Sequence, residues 1–318
     1  MEASVIAAVF ATIGVIWLLW RLYWRSVLPG RLIRTFSGKT VLLTGASSGI
    51  GWEMAHQISS YGAKLIMVGR SIEKLNRLSA DLNAAGRNTV AVEMDLADLG
   101  KIPEKCKQIL SKYGTIDILI NNAGLLVHSA ATDLKLETIE KVLSVNFMSQ
   151  VLLTQAFLPG MLAQNRGSIV VTASLNARFA LPFYSLYSAS KHALIGFYDA
   201  LRGELVDTRV NVCVVLPGYT RTSLAKSALN GEGSLIPNPS SYNFDHGMEP
   251  KVMAQKIIES CALKCEEVVI GAGPGYASFP EVIAVIRYAL PGQYFAYCRQ
   301  QALLNPLYET MKRKWKEQ

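Results

Sequence analysis

The chain has 318 residues, of which 50% are hydrophobic and 18% charged, and its formal net charge at pH 7 is +8. This share of apolar residues excludes a disordered chain, and the length suits one large α/β domain with a short appendage. The cysteines are few, scattered and odd in number, which argues against a disulfide scaffold and indicates reduced thiols.

The excess of Lys and Arg lies at the two ends of the chain and not on one motif. One cluster follows the N-terminal apolar segment, and a second forms a C-terminal run from Lys312 to Lys316. Both flank apolar stretches, so we expect an anionic membrane lipid surface as the partner and no nucleic acid. Cys261 and Cys265 are spaced as half a metal site, but no other pair completes it, and no metal is expected.

The first segment, from Ala3 to Trp20, contains no charged residue, which predicts a single membrane-spanning helix. We assign residues 1–24 to an N-terminal anchor and 25–37 to a basic juxtamembrane linker. A cleaved signal peptide is the alternative, but the positive charges follow the apolar run instead of preceding it. Because Glu2 is the only side-chain charge before the segment and five Arg and Lys residues follow it, the main domain is expected in the cytosol.

From Lys39 onward, short β-branched runs alternate with longer stretches of helical period. The predicted strands are 40–44, 64–68, 89–94, 116–121, 168–173, 210–215 and 267–271. Apolar strands separated by helices predict a doubly wound, mostly parallel, seven-stranded Rossmann-like sheet covered by helices on both faces. This α/β domain is predicted to span residues 38–272.

Two less regular segments accompany this domain. Residues 219–247 are rich in Gly, Ser, Asn and Pro and follow a strand, so they are predicted to form a lid over a ligand site. Residues 273–318 form a C-terminal extension with a basic tail. Its apolar part, up to Tyr297, fits either a helix packed on the sheet or a second membrane contact.

A glycine-rich turn lies directly between the first strand and the first helix of the alternating region. It runs from Thr44 to Gly51. Glycines let the backbone approach a pyrophosphate, whose charge then faces the free N–H groups of the helix N-terminus. The position of this turn predicts a dinucleotide site.

The end of the second strand indicates which dinucleotide is bound. An NAD site places a carboxylate there, whereas this chain has Gly69 and Arg70. A guanidinium suits a 2′-phosphate, which predicts NADP(H), although Arg70 also fits a solvated residue before a helix. Asp95, after the third strand, is positioned either to accept a hydrogen bond from an adenine or to cap a helix.

A second motif carries acid–base chemistry. Tyr187 and Lys191 are four residues apart on a predicted helix and share one face. A tyrosine exchanges a proton near neutral pH only if a positive charge stabilises its phenolate, and Lys191 supplies such a charge. Taken alone, this pair is more often a solvated helix face.

With these motifs, residues 38–272 resemble the short-chain dehydrogenase/reductase family. The matching elements occur in family order: the turn Thr44 to Gly51, the segment Asn121 to Gly124, then Asn146, Ser174, Tyr187 with Lys191, and Pro217-Gly218 with Thr220 and Thr222. The resemblance implies that Tyr187 is the general acid/base, that Ser174 polarises and binds the substrate carbonyl, and that Asn146 holds a proton-relay water. It also implies that Lys191 binds the nicotinamide ribose and lowers the tyrosine pKa.

The family pattern further implies which residues line the cofactor site. These are Gly45, Ser47, Ser48, Gly49, Ile50, Gly51, Arg70, Asp95, Leu96, Asn122, Ala123, Gly124, Tyr187, Lys191, Pro217, Gly218, Thr220 and Thr222. The anchor and several segments, such as the one from Ser227 to Ser234, resemble the membrane-anchored member 7 and 7B branch of this family. The chain departs from the common family pattern at Ala173, where a serine is usual.

This resemblance implies an NADP(H)-dependent oxidoreductase that interconverts a carbonyl and an alcohol on a hydrophobic small-molecule substrate, such as a lipid, sterol or retinoid. The alternatives are an acyl- or alkyl-dihydroxyacetone-phosphate reductase of ether lipid synthesis and a non-catalytic NADP(H)-binding scaffold. By the same resemblance we expect the endoplasmic reticulum membrane as location, the peroxisomal membrane as the alternative, and a homodimer as a candidate assembly.

Overall fold

The computed structural model describes residue 23 and residues 26–236, 247–271 and 291–317. The predicted membrane anchor lies outside the described residues, except for Tyr23. Residues 237–246 of the predicted lid and residues 272–290 of the C-terminal extension also lie outside them.

The described part of the chain is built around seven parallel strands in the order β3-β2-β1-β4-β5-β6-β7. They are β1 (Thr40–Thr44), β2 (Lys64–Gly69), β3 (Asn88–Glu93), β4 (Ile118–Asn121), β5 (Gly167–Thr172), β6 (Val210–Pro217) and β7 (Glu267–Ile270). Each lies within two residues of its predicted position, and every pairing between them is parallel. The predicted Rossmann-like sheet is confirmed.

Helices connect the strands and cover both faces of the sheet. They are α1 (26–36), α2 (Gly49–Ser60), α3 (Ile72–Ala84), α4 (Ile102–Tyr113), α5 (Leu136–Leu143), α6 (Ser149–Ala163), α7 (Ser185–Glu204), α8 (Ser223–Lys226), α9 (Pro250–Ala262), α10 (Pro291–Leu303) and α11 (Pro306–Glu317). In β1, Leu42 packs into one hydrophobic cluster, whereas Val41 and Leu43 pack into the cluster on the opposite face. Burial on both faces explains why the strands are continuously apolar.

Helices α5 and α6 form one continuous helical stretch, 136–163, joined by a π-helical turn from Ser144 to Met148. Among the described residues it alone has the length and apolarity to cross a membrane. Half of its most apolar stretch is buried, however, with Leu153, Phe157 and Met161 in the core. It is a core helix of this domain.

The strand order reverses between β1 and β4, which are neighbours in the sheet. From β1 the chain builds the sheet outward in one direction through β2 and β3, and from β4 it builds in the other direction through β5, β6 and β7. In doubly wound sheets such a reversal opens a crevice outside the carboxyl ends of the strands. The glycine-rich turn after β1 and the Asn121–Gly124 segment after β4 therefore meet at this edge.

The predicted lid is docked in its described part. Leu229 N–H donates to the Leu126 carbonyl at 2.9 Å, and its own carbonyl accepts from His128 N–H at 2.9 Å. Further along, Lys135 N–H donates to the Gly231 carbonyl at 2.9 Å. Because their backbone groups are paired with residues 126–135, residues 229–231 are docked on the segment after β4.

Candidate active site

A crevice of about 350 Å³ lies at the carboxyl edge of the sheet, where the strand order reverses. Of the residues predicted to form the site, all but Asn146 line it. The structure therefore brings the glycine-rich turn, the end of β2, the segment after β4 and the Tyr187–Lys191 pair into one cavity. Among the described residues, no group of three or more His, Cys, Asp or Glu is placed to hold a metal ion.

The glycine-rich turn is tight enough to require its glycines. Gly45 has a φ of +71°, and a Cβ on it would lie 2.9 Å from the Cα of Ala123. A Cβ on Gly51 would overlap the carbonyl oxygen of Gly45. The Thr44 hydroxyl accepts from the N–H groups of Asn122 and Ala123, at 2.9 and 3.0 Å, so the turn and the segment after β4 form one surface. Bare backbone of this kind fits a pyrophosphate.

The residues at the ends of β2 and β3 form the other end of the nucleotide surface. Arg70 is exposed and lines the crevice beside Gly69. Asp95 also lines it, and its Oδ1 accepts from Ala97 N–H at 3.0 Å. One oxygen of Asp95 therefore fixes a local turn and not a helix, since Asp98 precedes the next helical turn. The predicted contact of Asp95 with an adenine stays a prediction. No carboxylate occupies the end of β2, as the sequence indicated.

Helix α7 carries Tyr187 and Lys191 on the face toward the crevice, where they are 8% and 3% exposed. The Lys191 Nζ donates to the Thr172 carbonyl at 2.9 Å and lies 5.9 Å from the centroid of the Tyr187 ring. Ser174 lies two residues after the end of β5 and lines the same crevice, and its side chain interacts with the Tyr187 hydroxyl. The three side chains predicted to act on the substrate thus lie together.

The direction of the Tyr187 pKa differs from the prediction. Burial raises the pKa of the Tyr187 phenol, and the hydrogen bond with Ser174 opposes that rise only in part. Burial also lowers the pKa of Lys191 to about 8. Desolvation disfavours the charged forms of both groups, so the net pKa of the phenol is raised, and a lowering of this pKa by Lys191 stays a prediction. At neutral pH Tyr187 is protonated and ready to donate.

Asn146 lies in the π-helical turn between α5 and α6, is fully buried and does not line the crevice. Its Oδ1 accepts from Leu125 N–H at 2.7 Å, and its Nδ2 donates to the Leu125 carbonyl at 2.9 Å. π-Helical turns are frequent at functional sites because they redirect a side chain. Here the amide fixes the backbone after β4, and its role in holding a relay water stays a prediction.

Ser190 is a site residue that the sequence reasoning missed, although it lies inside the Tyr187–Lys191 motif. Its buried hydroxyl accepts from the Asn146 Nδ2 at 3.0 Å and donates to the Tyr187 carbonyl at 2.7 Å. It therefore ties the π-helical turn to the helix that carries the phenol. Nothing in a single sequence separates this serine from a solvated one.

We expect Ser190→Ala to lower kcat about five- to tenfold, because Tyr187 is then less well positioned. This factor corresponds to the loss of one net hydrogen bond. NADPH affinity should stay unchanged, because the residue does not line the crevice. Steady-state kinetics and NADPH titration measure both effects, and Ser190→Thr, which keeps the hydroxyl, should restore part of kcat. Equal kcat values for the Ala and Thr variants would contradict this positioning role.

The end of the crevice away from the glycine-rich turn is apolar. Its lining includes Leu125, Leu126, Val145, Leu175, Phe179 and Leu181. Three cations near the expected mouth of the crevice, Arg178, Arg221 and Lys226, are candidates to hold a phosphate headgroup. Arg178 is ion-paired with Glu267, and Arg221 with Glu249.

Comparisons with known proteins agree with this geometry. Residues 39–233 match the short chain dehydrogenase family. Dehydrogenase/reductase SDR family member 7B of Mus musculus is 34% identical over 267 residues, which cover 82% of this chain and 80% of the relative. A metagenomic short-chain oxidoreductase in complex with NADP superposes with a TM-score of 0.62 at 27% identity, covering 74% of this chain and 98% of that one. A Burkholderia phymatum short chain dehydrogenase/reductase in complex with NAD has a TM-score of 0.68 at 24% identity, covering 79% and 92%.

Proposed function

The chain belongs to the short chain dehydrogenase/reductase family, and from that premise we propose that it is a membrane-anchored, NADP(H)-dependent oxidoreductase. It interconverts a carbonyl and a primary or secondary alcohol on a hydrophobic substrate. The observation that carries this proposal is the convergence of Ser174, Tyr187 and Lys191 on the crevice that also contains the glycine-rich turn. A non-catalytic scaffold would not require all three at one point.

The nicotinamide dinucleotide, when bound, supplies or accepts a hydride. The glycine-rich turn and the N-terminus of α2 would hold its pyrophosphate, since their residues line the crevice and the Gly51 position leaves no room for a side chain. Lys191, which lines the same crevice, would hold the nicotinamide ribose. Thr222 lies against Gly49 and would close the phosphate end of the site.

In the reduction direction, Tyr187 donates its phenolic proton to the substrate oxygen while Ser174 donates a hydrogen bond to the same atom. The raised pKa of Tyr187 supports this direction, because the phenol carries its proton at neutral pH. Oxidation requires the phenolate, and the same burial disfavours it. We therefore expect the reduction rate to fall, and the oxidation rate to rise, as the pH increases through the phenol pKa.

The substrate class follows from the apolar end of the crevice. Leucine and phenylalanine side chains line it, and burial of a lipid, sterol or retinoid chain there is favourable. An acyl- or alkyl-dihydroxyacetone phosphate is the second candidate substrate. The ion pairs of Arg178 and Arg221 count against it, because both cations already neutralise carboxylates, which leaves Lys226 as the remaining candidate cation for the phosphate.

The proposed location is the endoplasmic reticulum membrane, with the domain in the cytosol and the peroxisomal membrane as the alternative. Its support is the uncharged segment Ala3 to Trp20 and the basic residues that follow it. A homodimer is the proposed assembly. An anchored enzyme could take a hydrophobic substrate directly from the bilayer.

A panel of carbonyl probes tests the proposed function. NADPH consumption is measured for the detergent-solubilised full chain with a sterol ketone, retinal, a long-chain 2-alkanone and an acyl-dihydroxyacetone phosphate. We expect turnover of at least one unphosphorylated probe. Turnover of the phosphorylated probe alone would favour the second candidate, and absence of turnover with the whole panel would support the scaffold.

The cofactor preference depends on Arg70 in this proposal. We expect Arg70→Ala to reduce kcat/KM for NADPH by about 10- to 100-fold, the range for one lost hydrogen bond to a charged group, and to leave NADH unaffected. Arg77→Ala, which removes an exposed arginine of α3, is the matched control and should change neither value. An unaltered ratio of NADPH to NADH in Arg70→Ala would show that the guanidinium contacts no 2′-phosphate.

A further inference from the structure

The loop that links Ser174 to the helix of Tyr187 forms one wall of the crevice; we call residues 175–184 the wall loop. Leu175, Phe179, Leu181 and Tyr184 of this loop line the cavity. At its end, Phe183 has a φ of +67°, a region that bulky residues occupy only when their surroundings hold them there. Contacts from outside the loop must therefore keep it in this conformation.

Those contacts come from the segment after β4. Ser129 N–H donates to the Phe183 carbonyl at 2.9 Å. The ring of His128 lies 5.9 Å from that of Phe183 and 4.6 Å from that of Tyr184, centroid to centroid. His128 is only 3% exposed, so it is packed between the wall loop and further parts of the chain.

The C-terminal helices close this packing. Asn305, between α10 and α11, accepts from Leu307 N–H through Oδ1 at 3.0 Å and thereby caps α11. Its Nδ2 consequently faces His128 Nε2, at 3.2 Å, as a donor. An imidazole that accepts at Nε2 is neutral and carries its proton on Nδ1. Burial lowers the pKa of His128 to about 4, which agrees with a neutral ring.

A second contact joins the same helices to the wall loop. The Cys298 thiol of α10 lies 3.7 Å from the Ala180 carbonyl, and Cys298 packs against the core cluster that contains Leu175 and Phe179. The two contacts hold the wall loop at its middle and, through His128, at its end. Neither helix lies within the 39–233 family match, so this is a feature of the C-terminal extension.

We propose that α10 and α11 position the wall loop for substrate binding. Asn305 holds His128 in place, and His128 holds the wall loop in its strained conformation. Asn305 and His128 are positioning residues, since neither lines the crevice. The substrate they serve is the hydrophobic carbonyl compound of the proposed function, on which this part of the inference rests.

The test separates the contact between Asn305 and His128, which we call the clasp, from the capping of α11 by Asn305. Asn305→Ser keeps a good N-cap and removes the amide donor that reaches His128. Glu309→Gln, which removes the exposed Glu309–Lys312 ion pair of α11, is the matched control. Hydrogen–deuterium exchange of the full chain is followed over the wall loop and over the glycine-rich turn.

We expect exchange in the wall loop to accelerate about three- to tenfold in Asn305→Ser, the effect of one lost net hydrogen bond, while the glycine-rich turn and the control stay unchanged. KM for a long-chain 2-alkanone should rise by a similar factor at constant NADPH affinity. Unchanged exchange in the wall loop, or acceleration spread equally over the chain, would overturn the clasp, and unchanged KM would overturn its role toward substrate. If the wild-type chain turns over no carbonyl probe, the proposed function fails while the exchange data still decide on the clasp.

Discussion

Tyr187→Phe is expected to lower kcat by about 10²- to 10⁴-fold, the usual contribution of a positioned general acid. The substitution removes only the phenolic oxygen and keeps the ring, which is 8% exposed and packs in a small cluster with Val127 and Leu186. NADPH affinity should therefore persist, because the backbone of the glycine-rich turn is untouched. Single-turnover kinetics and NADPH fluorescence titration separate the two effects.

The control for this variant is Tyr113→Phe, which removes a phenolic oxygen from the end of α4, away from the crevice. It should leave kcat and NADPH affinity at wild-type values. Near-wild-type turnover by Tyr187→Phe would assign the proton to another group. Loss of NADPH binding together with turnover would mean that the substitution had disturbed the site as a whole.

Lys191→Met is expected to change stability and activity in opposite directions. Burial lowers the pKa of Lys191 from 10.5 to about 8, which corresponds to a penalty of roughly 3 kcal/mol for keeping the folded lysine charged. Met has a similar length and no charge, and the lost hydrogen bond to the Thr172 carbonyl costs about 1 kcal/mol. At pH 7 the free energy of unfolding of the variant should therefore be about 2 kcal/mol higher than that of wild type. The variant should bind NADPH about 10- to 100-fold more weakly.

The pH dependence of this difference provides an internal check. The penalty is fully present below the folded pKa of about 8 and is relieved as the pH rises toward the unfolded value, because the unfolded state then binds more protons. Wild-type stability should approach that of Lys191→Met between pH 8 and 10.5. Urea unfolding of both proteins at several pH values measures this difference in stability. A variant less stable than wild type at pH 7 would show that the buried ammonium is compensated in the folded chain.

The sheet was predictable because its signal is local. Strands such as Thr40–Thr44 and Lys64–Gly69 are apolar on both faces, and the glycine-rich turn lies at a fixed place between a strand and a helix. Gly86, two residues after the end of α3, has a left-handed φ of +76°, which is typical of a glycine that follows a helix. Ser71 begins the same helix, although its side chain makes no capping hydrogen bond.

The rest of the site depends on contacts between distant parts of the chain, which spacing does not encode. Asn305 meets His128 across 177 positions, and Asn146 meets Ser190 across 44. The positive φ of Phe183 could not be predicted, because such a backbone conformation is normally indicated by a glycine and this residue is a phenylalanine. The pKa of Tyr187 depends on how deeply the fold buries it, and the sequence shows only that a lysine is nearby.

The most direct test follows a hydride and a proton to the substrate. The detergent-solubilised chain is incubated with NADPH stereospecifically deuterated at C4 of the nicotinamide and with the carbonyl probe that is turned over fastest, and the product is analysed by mass spectrometry. We expect one deuterium on the former carbonyl carbon from one of the two C4 stereoisomers of the cofactor, and Tyr187→Phe should form this labelled product about 10²- to 10⁴-fold more slowly than wild type. A product without deuterium from either stereoisomer, or equal rates of labelling by both proteins, would contradict hydride transfer assisted by Tyr187.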